Sequence, residues 1–141
     1  MFPQMDLTET RDSSQPREKA PRLRVLIVDD EPLIRWSLRH GFAARGHAVS
    51  TASNGVEAMA ELRAAGPFDV AILDYRLPDR HDLSLLEDVR RMSPGSLVVM
   101  MTAFADDGMK TEAQARGAHT VVDKPFQIRS LVDMVEAAVV A

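Results

Sequence analysis

The chain has 141 residues, a length for one domain and hardly two. Its 17 Lys and Arg stand against 21 Asp and Glu, a formal charge of −4 that disfavours a nucleic-acid binder, because neutralising phosphates needs clustered cations. With no cysteine, disulfides, thiolate metal sites and a cysteine nucleophile are excluded; no apolar run reaches the roughly 20 residues that cross a bilayer, and Met1-Phe2-Pro3-Gln4-Met5-Asp6 lacks the basic and apolar regions of a secretory leader, so the expected compartment is the cytoplasm.

Residues 1–22 hold Pro3, Pro16 and Pro21, a polar stretch from Thr8 to Ser14, and four acids balanced by four bases. Few large apolar side chains and no sustained period leave too little burial to offset the entropy of ordering. This segment is expected to be a flexible arm ahead of a domain spanning 23–141, which then carries the whole −4.

Leu23–Val28 opens the domain as an apolar run of strand length, interrupted only by Arg24, and Ile34, Leu38 and Phe42 draw a helical stripe after it. A weaker strand at His47–Ala52 leads to Asn54-Gly55-Val56-Glu57, the pattern of a capping box, and to a helix with Ala58 and Leu62 on one face. Val70–Leu73 is the third strand, and Leu85, Val89 and Met92 mark the third helix. Leu97–Met101 is the fourth strand; the helix after it, around Ala105–Arg116, is the least amphipathic. Thr120–Val122 and the stripe Leu131, Val135 and Ala138 complete five strand–helix units, and Gly46, Gly66 and Gly117 stand where three helices stop. Unbroken apolar strands suit a parallel sheet covered on both faces. Right-handed crossovers then predict an α/β fold, a five-stranded parallel doubly wound sheet of order 2-1-3-4-5, flavodoxin-like and (βα)5.

Polar residues stand at the C-terminal ends of these runs. Asp29-Asp30-Glu31 follows the first, Asp74 the third, Thr102 the fourth, and Asp123-Lys124 the fifth. In an open parallel sheet those ends lie along one edge, where ligands bind at the switch in strand order. Three gathered carboxylates repel one another, which holds a cation or raises a pKa. Oxygen ligands without His or Cys favour Mg²⁺ or Mn²⁺. A lysine and a threonine hydroxyl suit the free oxygens of a phosphoryl group, and a carboxylate can itself be the nucleophile. The residues therefore point to phosphoryl transfer onto an aspartate.

Val28-Asp29-Asp30-Glu31-Pro32, Leu73-Asp74-Tyr75-Arg76-Leu77-Pro78-Asp79, Met101-Thr102-Ala103 and Asp123-Lys124-Pro125-Phe126 together resemble the receiver domain of a two-component response regulator. The wording around Asp74 and Thr102 is most similar to receivers placed before sigma-54-type activator domains. The resemblance implies that Asp74 is the phosphoacceptor, that Asp30 binds Mg²⁺ directly and Asp29 mainly through water, and that the backbone carbonyl of Arg76 completes the protein ligands. It also implies that Lys124 contacts the phosphoryl group, that Thr102 moves in to hydrogen-bond it, and that the Lys124–Pro125 bond is cis. The implied donor is a phosphohistidine on a sensor histidine kinase or histidine phosphotransfer protein. A downstream output protein or domain would read the result, a homodimer could form, and neither nucleic acid nor membrane is contacted directly. Such a module catalyses only its own phosphorylation and dephosphorylation, so it is not expected to be an enzyme.

Two positions depart from the resemblance. His81-Asp82 replaces the usual acidic or serine residue followed by glycine, and Asp82 is expected either to take a left-handed conformation or to cap the next helix. Val121 stands where a tyrosine or phenylalanine commonly reports phosphorylation by turning its ring. That valine motivates an alternative, a receiver-like interaction module that signals without phosphate. Arg76 and Phe104, each two residues beyond a site residue, are bulky enough to block an in-line water, which predicts slow loss of the phosphoryl group. A phosphate-ester hydrolase would need an Asp-x-Asp pattern and a cap insertion, and a nucleotide binder a glycine-rich loop after Val28; neither is present. His40, His47, His81 and His119 have no ligand spacing and read as solvated or structural, and Trp36 and Tyr75 as packing residues or neighbours of the site.

Overall fold

Five apolar runs become five parallel strands, each followed by a helix, in a computed structural model that describes residues 22–140. The expected arm, apart from Arg22, lies outside the described residues. The elements are β1 (Arg24–Val28), α1 (Pro32–Ala43), β2 (Ala48–Ala52), α2 (Gly55–Ala65), β3 (Val70–Asp74), α3 (Ser84–Met92), β4 (Leu97–Thr102), α4 (Asp107–Ala115), β5 (Thr120–Asp123) and α5 (Ile128–Val140). The sheet order is β2-β1-β3-β4-β5 with every pairing parallel, the doubly wound order expected from the pattern.

Alternate residues of β1 feed two cores. Val25 and Ile27 pack with Leu38, Phe42, Leu131 and Val135 beneath α1 and α5. Leu26 and Val28 pack with Ala58, Leu62, Leu86 and Val89 beneath α2 and α3. Burial on both faces explains why Val25–Val28 of β1 and Val70–Leu73 of β3 read as apolar runs without alternation. Each large side chain so buried contributes about 1.5–3 kcal/mol. The edge strand β2 is only half-buried over four of its five residues, which explains its weaker sequence signal.

Local chemistry sets the helix ends. Pro32 opens α1, where its missing N–H costs nothing. Asn54 accepts from the Glu57 N–H at 2.8 Å, but the return bond of the expected capping box goes one residue further back: Glu57 accepts from the Ser53 N–H at 2.7 Å and from the Ser53 hydroxyl at 2.8 Å. Gly46 and Gly117 have φ of 87° and 109°, the left-handed turns expected of helix-stopping glycines. Gly66 is extended instead and precedes a cis bond to Pro67. At the departure Asp82, no left-handed conformation is used; its carboxylate accepts from the Ser84 N–H at 2.9 Å and so starts α3.

The strand register sets the site. Val28 pairs with Leu73, Asp74 with Met101, and Thr102 with Asp123, so the first residues past or at the strand ends fall in one row. Backbone bonds extend that row: Asp29 N–H donates to Ala52 O (3.1 Å), Tyr75 N–H to Met101 O (2.8 Å) and Lys124 N–H to Thr102 O (2.8 Å). Among the described residues no helix is long and apolar enough to cross a membrane.

Candidate functional site

The row opens into a cleft of about 570 Å³ lined by Asp30, Glu31, Asp74, Arg76, Thr102 and Lys124, with Phe104 and Pro125 at its rim. Asp74 and Thr102 are the last residues of β3 and β4, and both are buried. Asp29 is fully buried and Asp30 exposed. All the sequence-predicted site residues except Asp29 line this cleft, and Asp29 lies beneath it, paired to Lys124.

Lys124 joins the set. Its ammonium lies 2.9 Å from Asp29 Oδ2, 2.9 Å from Glu31 Oε1 and 3.2 Å from Asp74 Oδ2. Burial opposes its charge, but pairing with Asp29 and Glu31 outweighs that and holds its pKa above the ordinary lysine range. The Lys124–Pro125 bond is cis, as the resemblance implied.

The carboxylates are less well compensated. Asp29 Oδ1 accepts from the Glu31 N–H at 2.8 Å, the helix-entry role any aspartate could play here. Its Oδ2 is buried and receives no hydrogen bond of normal geometry, although the lysine charge is close. Asp74 Oδ1 has only a long bond from the Arg76 N–H, 3.3 Å. Burial first, and then the charge of Asp29, push the Asp74 carboxyl up to about 6, against the opposing pull of Lys124. Single oxygens of Asp29, Asp30 and Asp74 lie within 4.8 Å of one another. Three gathered carboxylates, two of them buried, and an all-oxygen donor set fit a hard divalent cation.

Thr102 makes no hydrogen bond to Asp74. Its hydroxyl oxygen accepts from the Phe104 N–H at 3.2 Å, so its own hydrogen stays available for donation. Phe104 is 83% exposed beside it. Val121 is half-buried and packs on the core under α2 and α3. Tyr75 packs partly on that core too, whereas Trp36 is 58% exposed on α1 and stacks on His40, so it is not a core residue. His47 is buried and structural.

Three polar residues escaped assignment from the sequence. Glu31 was visible beside the Asp pair, yet only the fold brings Lys124 to it across 93 positions. Arg35 donates to the Asp29 carbonyl at 2.8 Å and steadies that loop from the first turn of α1. Asp79 binds the start of α2, for which no local pattern exists.

Comparison with known proteins places the chain in a family. Residues 25–136 match the family described as "Response regulator receiver domain". The chain is 36% identical over 115 residues to the DNA-binding transcriptional regulator NtrC of Salmonella typhimurium, covering 82% of this chain and 24% of that one. It is 39% identical over 117 residues to the transcriptional regulatory protein KdpE of Mycobacterium tuberculosis, covering 82% of this chain and 50% of the other. It therefore spans about a quarter to a half of the length of these relatives. Among solved structures, a CheY-like receiver domain protein from Methanospirillum hungatei superposes with a TM-score of 0.78 at 28% identity, covering 84% of this chain and 94% of that one.

Proposed function

The chain belongs to the response regulator receiver domain family of two-component systems, and on that premise we propose that it binds Mg²⁺ and accepts a phosphoryl group on Asp74 from a phosphohistidine of a sensor histidine kinase or histidine phosphotransfer protein. The carrying observation is that one lysine reaches both Asp29 and Asp74 beneath an open cleft, with Asp30 close enough to share a cation.

In the transfer, an Asp74 oxygen attacks phosphorus in line. The P–N bond to the donor imidazole breaks as the P–O bond forms, and the ring nitrogen keeps the electron pair. A cation held by Asp29, Asp30, Asp74 and the Arg76 backbone carbonyl would supply positive charge against the phosphoryl oxygens. Lys124 gives up Glu31 and contacts one of those oxygens. The Thr102 hydroxyl donates to another. The same residues serve the later hydrolysis, in which water attacks phosphorus in line and the Asp74 carboxylate leaves with the electron pair of the broken P–O bond; Arg76 and Phe104 slow it by crowding the line of attack. No separate substrate is turned over, so the module is a cytoplasmic switch for an output protein or domain, or for a second copy of itself, and contacts no nucleic acid directly. The proposed unit is the domain 23–141.

Beryllofluoride, an acyl-phosphate mimic, tests the reading. With Mg²⁺, amide NMR shifts should saturate and spread from Asp74 through Thr102 to Lys124 in the wild type and vanish in Asp74→Asn. No Mg²⁺-dependent shift in the wild type would sink the proposal in favour of the phosphate-independent module that Val121 motivates.

A further inference from the structure

The segment between β3 and α3 is tied down at nearly every residue. Arg76 N–H reaches back to Asp74 Oδ1 at 3.3 Å, and Leu77 and Arg80 exchange backbone bonds of 2.8 and 3.3 Å around Pro78-Asp79. Leu77 is buried. The Arg80 guanidinium bonds Ser84 Oγ at 3.3 Å and Asp88 Oδ2 at 2.6 Å, and its stem lies so close over Gly55 that a Cβ there would meet it at 3.0 Å. A side chain at this helix start would need the Arg80 stem to shift by a few tenths of an ångström.

Asp79 supplies the remaining tie. Its Oδ1 accepts from the Gly55 N–H at 2.8 Å and its Oδ2 from the Val56 N–H at 2.9 Å. Donation by Gly55 lowers its carboxyl below the usual range, so it is ionised at neutral pH and favourably placed at a helix N-terminus. Yet α2 already has its own cap in Asn54. Of the two donors Asp79 takes, the Val56 N–H sits on a residue 69% exposed, where water could serve it, whereas Gly55 is buried. Both bonds also anchor the segment that carries Asp79, whose Pro78-Asp79 turn is otherwise held through Leu77 and Arg80.

We propose that Asp79 is a positioning residue for the cation site: by gripping two N–H groups of α2 it holds the 75–80 segment, and with it the backbone of Arg76, in register with Asp74. The inference rests on the receiver reading above and adds to it a residue that touches neither cation nor phosphoryl group. It makes the first two amides of α2, and not the helix as a whole, part of the site's scaffold.

Mg²⁺ titration of the full chain by calorimetry tests it, alongside thermal unfolding and hydrogen exchange at Gly55 and Val56. Asp79→Ala should lose exchange protection at both amides and bind Mg²⁺ about tenfold more weakly, the lower end for outer-shell partners of a metal site. Asp79→Asn, which keeps one accepting oxygen, should fall between and serves if the alanine variant does not fold. Asn54→Ala removes the other cap of the same helix; it should lower the melting temperature while leaving Mg²⁺ affinity unchanged. Wild-type Mg²⁺ affinity in a folded Asp79→Ala that has lost both protections would overturn the proposal and leave Asp79 a helix cap. Absence of Mg²⁺ binding in the wild type would instead overturn the receiver reading, and this inference with it.

Discussion

Among the described residues, six buried polar side chains divide evenly between the two ends of the sheet, and the two groups are treated in opposite ways. At the N-terminal end, His47 Nδ1 accepts from the Leu23 N–H at 3.0 Å, which leaves the ring hydrogen on Nε2 to donate to Glu136 at 2.7 Å. Arg45 closes that circuit on Glu136 and Asp133, both at 2.7 Å. Ser93 accepts from the Phe68 N–H at 3.1 Å, and Ser96 donates to the Phe68 carbonyl at 3.0 Å. At the C-terminal end, Asp29 and Asp74 share a single lysine with Glu31, the Thr102 hydroxyl accepts from Phe104 N–H, and the Asp74 carboxyl is pushed up to about 6. The difference teaches how to separate structural from functional polarity in this molecule. Paired groups at the first end stabilise the fold as it stands, whereas the second end gathers like charges and a raised carboxyl in an open cleft, the pattern of a functional site.

The contrast breaks most sharply with Asp74→Asn, which should abolish phosphoryl uptake from a phosphorylated kinase or acetyl phosphate while leaving the fold intact. Labelled-phosphate incorporation reads this directly, and any residual acid-labile phosphate would mean another acceptor. Next, Lys124→Ala strips the C-terminal end of its cation. Two buried carboxylates then face each other, and urea unfolding without divalent ions should show a loss of about 3 kcal/mol. Millimolar Mg²⁺ should recover part of it, because a ligand of the folded state alone stabilises by mass action.

The pH dependence follows from the Asp74 shift. Its carboxyl is raised from 3.8 to about 6 in the folded protein, so the fold binds the proton more tightly than the unfolded chain. Without divalent ions, stability should therefore be greatest below about pH 4 on this account and fall as pH rises through about 6. The loss is roughly 1–2 kcal/mol, reduced by the solvent in the cleft. Asp74→Asn should flatten that slope; an unchanged slope would place the titration elsewhere. At the opposite end, His47→Ala should cost about 1 kcal/mol by stranding Leu23 N–H, with Mg²⁺ affinity untouched. A change in that affinity would mean the two ends are coupled. The smallest effect is kinetic: replacing Arg76 and Phe104 together by serine should hasten dephosphorylation severalfold, followed as loss of label after the donor is removed.

Much of this was legible in the chain itself. Strands and helices follow from apolar period, and the observed bounds differ from the expected ones by a residue or so, as when Asp74 and Thr102 close their strands. The row Asp29, Asp74, Thr102 and Lys124 was legible because parallel topology sends every strand's C-terminal end to one edge. The outward placement of Trp36 was not, since an α1 stripe through Ile34, Leu38 and Phe42 says little about a flanking aromatic. Nor was the shift of the return bond of the α2 cap from Asn54 to Ser53, which depends on how a glutamate turns in three dimensions.

Sequence alone determined what recurs locally: the periods that make elements, the glycines of left-handed turns, and the residue types waiting at the strand ends. Tertiary structure alone decided the pairings. Glu31 with Lys124 across 93 positions, His47 with Glu136 across 89 and Asp79 with Gly55 across 24 leave no local pattern. Periodicity is enforced by one element's face against the core and so is written in neighbouring residues. A side-chain hydrogen bond needs only two atoms at the right distance, and that distance exists only once the sheet has closed its register.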